Sequence, residues 1–146
     1  MRLLALILVM ASSWPAFARD NETIDQLKAR VESAAPKDRV SLALRVAELQ
    51  TTAADKLYAD GKTDEARAAL QDVVSYTEKA GDAATQSGKK LKDAEISVRK
   101  IAHKLADIKR TVDFENQAPL QDAIDHLERI RTQLLAKMFD LGKGSQ

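Results

Sequence analysis

The chain has 146 residues, about one domain's worth, with a formal charge of +1, no cysteine, 31% charged and 4% aromatic residues. This balance excludes a membrane-spanning protein, a disulfide scaffold, a zinc–thiolate site and a strongly basic nucleic-acid binder. It allows a helical domain.

Met1-Arg2 gives a short positive start, Leu3 to Met10 an unbroken apolar run, and Ala16-Phe17-Ala18 a small-x-small cleavage site. The run is too short to cross a bilayer, which takes about 20 residues. No cysteine follows it to carry a lipid. The expectation is a cleavable secretory signal over residues 1–18, export to the periplasm or exterior, and a single helical domain over 19–146. Cleavage removes Arg2 from the 23 basic residues, and the remainder balances the 22 acids.

Ile24, Leu27, Val31 and Ala34 form the stripe of a short helix over about 22–34, with Asp20 or Asn21 as its cap. Pro36 then suits the first turn of a second helix, 36–60. That helix carries two neighbouring apolar stripes, one through Val40, Leu44, Ala47, Thr51, Ala54 and Tyr58, the other through Leu42, Val46, Leu49, Ala53 and Leu57. So wide a face packs against more than one neighbour. Asp60-Gly61 ends it, Thr63 is expected to cap the next helix, and Asp64 and Glu65 sit well on its N-terminal dipole.

From Ala66 an apolar seam runs through Leu70, Val73, Thr77, Ala80, Ala84, Ser87, Leu91, Ala94, Val98, Ile101, Leu105 and Ile108 to Val112 in steps of four and three. Its phase holds across Gly81 and Gly88, which points to one helix over 63–112, roughly 75 Å long at 1.5 Å per residue. Helix 36–60 would cover its first half and a last helix, 117–141, its second. That last helix opens at Pro119 and carries the seam Leu120, Ile124, Leu127, Arg131, Leu134, Met138, Leu141. The expected fold is all-α, an elongated antiparallel helical bundle around one long central helix. The alternative is a compact four-helix bundle broken at Gly81–Gly88, where the two glycines disfavour helix by about 1 kcal/mol each.

The segment Ala54-x-x-Leu57-Tyr58-x-x-Gly61-x-x-Asp64-Glu65-Ala66-x-x-x-Leu70 resembles the turn of a tetratricopeptide-repeat hairpin, over about residues 54–77. The resemblance implies a helical hairpin and, as in that family, peptide binding on a concave surface.

Charge is segregated along the chain. Residues 60–87 carry Lys62, Arg67 and Lys79 against six carboxylates, and residues 113–140 are acidic by the same margin. Residues 89–110 carry eight Lys or Arg against Asp93, Glu95 and Asp107. A basic stretch returning against an acidic last helix suits an antiparallel hairpin. Lys89, Lys90, Lys92, Arg99 and Lys100 are the candidate anion-binding residues, with an envelope polyanion as the class of ligand.

No catalytic constellation is legible. His103 and His126 lack the carboxylate three residues earlier that a bundle-core metal site uses. Asp122 and His126, one turn apart, could grip a divalent ion only weakly, so no cofactor or metal is expected. No serine sits on a glycine-flanked elbow and no glycine loop cradles phosphate. The small residues Ala80, Gly81, Ala84, Ser87 and Gly88 form a thin waist where another backbone can come close. These residues line either the meeting point of helix 36–60 and the last helix or a crossing site for a partner helix or second copy. The function expected is that of an exported, non-enzymatic interaction or scaffolding protein, with polyanion or small-ligand binding by residues 89–110 as the alternative.

Overall fold

The computed structural model describes residues 22–144, so the signal segment expected over 1–18 lies outside the described residues. Five helices follow in order: α1 (Ile24–Ser33), α2 (Pro36–Ala59), α3 (Thr63–Ser87), α4 (Leu91–Thr111) and α5 (Phe114–Lys143), with no strand among the described residues. The chain is an all-α bundle.

Local chemistry sets most of the boundaries. Thr23, not Asp20 or Asn21, caps α1 in a reciprocal capping box with Gln26. At its other end Arg39 donates from Nε to the Val31 carbonyl and from Nη2 to that of Ala34, satisfying groups left open where Pro36 starts the next helix. The α2–α3 turn is closed by backbone bonds from Gly61 to Tyr58 and Lys62 to Leu57, with Gly61 at φ +74°. Lys62 occupies the cap position there and Thr63 is already helical, a correction to the expected cap. The last helix starts three residues earlier than expected, behind Asp113, so Pro119 lies inside it. Pro119 has no N–H to give the Glu115 carbonyl.

The single long helix does not form. The chain breaks at Gly88-Lys89-Lys90, with Gly88 at φ +64° and Lys90 at φ +58°, both left-handed, and α4 runs back against α3. Gly88 takes that conformation without steric cost, whereas Lys90 does so under mild strain. Gly81, by contrast, stays within α3. Seam phase survives the reversal because the step from Ser87 to Leu91 is four residues whichever way the chain travels. The two polar seam residues are satisfied by their own helix: Thr77 Oγ1 donates to the Val73 carbonyl and Ser87 Oγ to that of Ala83.

The helices form two antiparallel hairpins, α2–α3 and α4–α5, laid on one another so that α3 meets α5 and α2 meets α4. Each of these cross-hairpin pairs is parallel. Lys90 reaches Ser41 and Arg67 reaches Asn116, each 49 residues apart, and Glu78 reaches His126, 48 apart. One end of the bundle therefore holds the α2–α3 and α4–α5 turns, and the other the α3–α4 turn with the last turns of α5. Side chains of all five helices share one core, in which Val46, Val73, Val98, Leu105, Leu120, Leu127 and Leu134 are fully buried. The short α1 lies along α2 and sends Lys28 to Asp72 and Glu32 to Lys79 on α3. The Asp72 hydrogen bond raises the Lys28 pKa.

Candidate functional site

Within the small-residue waist, Gly81 is where α3 and α5 touch. Ala80 and Ala84 have no exposed surface, and a Cβ built on Gly81 would lie 2.8 Å from Cγ2 of Ile130 on α5. The close approach expected of the waist is thus made by the chain's own last helix. Ser87 and Gly88 sit lower, half-buried at the α3–α4 turn, with Leu141 Cδ1 3.7 Å from the Cβ position of Gly88.

Above the waist the same two helices leave a gap. α5 presents Ala118, Pro119 and Ala123 there, side chains too small to fill the space opposite Leu70 and Val74. The result is an open groove of about 710 Å³ with an apolar floor and a polar rim of Arg67, Gln71, Ser75 and Glu78 on α3 and Glu115, Asp122 and His126 on α5. No carboxylate of Glu115 or Asp122 is within 4 Å of a cation among the described residues.

His126 closes the lower end of the groove. Arg129 can only donate, so it donates to Nδ1 at 3.1 Å, which places the ring proton on Nε2, facing Glu78 Oε1 at 2.5 Å. This strut ties α5 to α3 and separates the groove from a second, 250 Å³ hollow over Gly81, Asp82, Ile130 and Gln133. His126 therefore faces α3, not a metal-binding neighbour on α5. Among the described residues no group of three His, Cys, Asp or Glu side chains is placed to hold a metal ion.

The candidate anion-binding residues lie on α4 and in the turn before it. Lys89, Lys92, Arg99 and Lys100 are exposed, and Lys90 is half-buried with its Nζ on Ser41. Farther along, Lys104 pairs with Asp55 of α2, which raises the lysine's pKa, and Arg110 pairs with Asp107. Lys89, Lys92 and Lys100 have no carboxylate within 4 Å among the described residues.

α4 and α5 do pair antiparallel, but their ion pair runs against the overall charge pattern. Glu95 of the basic helix is only 8% exposed and accepts from Nε of Arg131, on the acidic one, at 2.7 Å. The Glu95 bond, and after it the one to Glu128, raises the Arg131 pKa. Arg131 was the polar intruder in the seam of the last helix. It occupies a core-facing position because a buried carboxylate waits opposite.

In the α2–α3 hairpin Ala54 and Ala66 are fully buried on either side of Gly61. Comparison with known protein families, with curated proteins and with solved structures finds no match. No helix among the described residues is long and apolar enough to cross a membrane.

Proposed function

We propose that this chain, once freed of residues 1–18, is an exported, non-enzymatic interaction module that holds a partner in the α3–α5 groove. The partner chemistry that fits is an amphipathic helix with basic flanks. Its apolar side would lie on Val74, Ala118, Pro119 and Ala123, and its cations would meet Glu115 and Asp122. The observation that supports this reading is the pairing of an apolar floor with two rim carboxylates, Glu115 and Asp122, that have no cation partner among the described residues. Apolar side chains in a groove supply affinity, and rim charges choose between partners.

The test uses two synthetic amphipathic helices that share one apolar face, one flanked by lysines and one by glutamates, titrated into isotope-labelled protein. We expect the lysine-flanked peptide to shift the amide signals of residues 67–78 and 115–126. Ala118→Trp, which fills the groove, should remove that response. Silence from both peptides at those residues overturns the groove assignment.

A second reading has one observation in its favour. Among the described residues Lys89, Lys92 and Lys100 stand without counter-ions, which suits binding of an anion at the start of α4. Such binding weakens steeply with salt, whereas docking on an apolar floor is largely salt-tolerant.

A further inference from the structure

The three most exposed large apolar side chains among the described residues are Phe114 (87%), Phe139 (70%) and Leu141 (47%). They sit at opposite ends of the bundle. The Glu95–Arg131 pair fixes the register of α4 on α5, so Phe139, two turns beyond Arg131, lies level with the α3–α4 turn. The packing of Leu141 toward Gly88 gives the same level directly.

Phe139 and Leu141 therefore lie at the same end of the bundle as Lys89, Lys90 and Lys92. Residues 87–93 and 137–144, which build this end, carry five lysines (89, 90, 92, 137 and 143) against Asp93 and Asp140. The N-terminus of α2 joins them there, as the Lys90–Ser41 bond shows, and adds Lys37 and Arg39 against Asp38.

The opposite end has the reverse balance. Residues 58–65 and 110–116 hold Asp60, Asp64, Glu65, Asp113 and Glu115 against Lys62 and Arg110. Phe114 stands there among carboxylates. A chain whose formal charge is only +1 is thus polarised along its axis, with an exposed phenylalanine at both poles.

We infer that the end built by the α3–α4 turn and the last turns of α5 is a docking surface for an anionic lipid bilayer. Phe139 and Leu141 enter the interfacial region, while Lys89, Lys92 and Lys143 meet lipid phosphates. Apolar insertion alone gives marginal, reversible binding, and a basic cluster beside it supplies the second signal that stable attachment needs. Each lysine close to an anionic surface strengthens binding about fivefold. Exposed apolar side chains ringed by cations suit a bilayer better than a soluble polyanion, which offers nothing for Phe139 to enter. The inference rests on the second reading above, anion binding at the start of α4, and names its ligand.

The experiment is co-sedimentation with vesicles, using the chain from Arg19 onward because residues 1–18 would bind lipid by themselves. Vesicles of phosphatidylglycerol and phosphatidylethanolamine are compared with phosphatidylcholine alone, and dextran sulfate serves as a soluble polyanion. We expect binding to the anionic vesicles only. Phe139→Ser with Leu141→Ser should weaken it at least tenfold, and so should Lys89→Glu with Lys92→Glu. Phe114→Ser should leave it unchanged. All five positions are exposed, so the variants should keep the parent's helical spectrum and melting profile.

Absence of vesicle binding by the parent overturns the inference, and so does equal loss with Phe114→Ser. Binding of dextran sulfate without binding of vesicles also overturns it while leaving anion binding by α4 standing. If neither ligand binds, both readings fail.

Discussion

The two ends of the bundle expose the same kind of side chain in opposite electrostatic settings. Phe114 projects among carboxylates at the turns that close both hairpins, and Phe139 projects among lysines where α3 turns into α4. The pair α3–α5 changes character between the same two ends. Near the basic end Gly81 lets the helices touch at Ile130, and near the acidic end Ala118, Pro119 and Ala123 line a groove between them. A small residue thus closes the interface where Ile130 reaches Gly81, and small residues leave it open where Leu70 and Val74 do not fill the space opposite Ala118, Pro119 and Ala123. What a glycine or alanine does is decided across the interface.

The largest effect should come from overfilling the closed half. Ala84 has no exposed surface, so Ala84→Leu is expected to cost about 2–3 kcal/mol in chemical denaturation through overpacking. Stability within error of the parent would mean that Ala84 is not packed in the core.

The turn at the basic end offers a test whose sign decides between two structures. Gly88 sits at φ +64°, where a Cβ costs about 1–2 kcal/mol, so Gly88→Ala should destabilise. In an uninterrupted helix over 63–112 the same change would stabilise by about 1 kcal/mol.

At the acidic end, Tyr58 buries its hydroxyl without a hydrogen-bond partner among the described residues, and burial raises its pKa. Tyr58→Phe removes that orphaned group and should raise stability by about 1 kcal/mol. A loss of similar size would show that the hydroxyl is hydrogen-bonded after all.

The smallest effect belongs to the open half. Ala118 lines the groove and is exposed, so Ala118→Leu should change stability by no more than about 0.5 kcal/mol, in contrast to the same substitution at Ala84. A cost above about 2 kcal/mol would show the groove to be packed.

Much of the fold was legible because helical periodicity records which residues face a core. The seams through α2, α3, α4 and α5 supply most of the buried residues, from Val40 and Leu44 to Leu127 and Leu134, whereas Leu141, expected to end the α5 seam, is 47% exposed because it lies at the end of the bundle. Periodicity does not record direction. Ser87 and Leu91 keep step across a reversal as well as along a straight helix, so the break had to be read from Gly88 alone, and Gly81, an equal candidate by residue type, turned out to be a packing glycine. Arg131 was visible as an intruder, but nothing local to it names Glu95 as its partner, 36 residues away.

The candidate site was legible in part. Lys89, Lys92, Arg99 and Lys100 lie exposed, Ala80 and Ala84 are buried, and Gly81 meets the last helix. The groove left no signal, because a cavity is the absence of side chains from two segments 48 or 49 residues apart. Polarisation of the ends was equally hidden. The lysines of 89–92 join Lys137 and Lys143 only once the chain has folded back, and in sequence the last helix is acidic on balance.

The contrast between the ends is tested most directly by paramagnetic broadening from vesicles of anionic lipid carrying a nitroxide at the headgroup level. Broadening of amide signals at residues 87–93 and 137–143, with those of 60–65 and 110–116 left sharp, is the predicted result. Broadening centred on Phe114, or spread evenly over both ends, would contradict it.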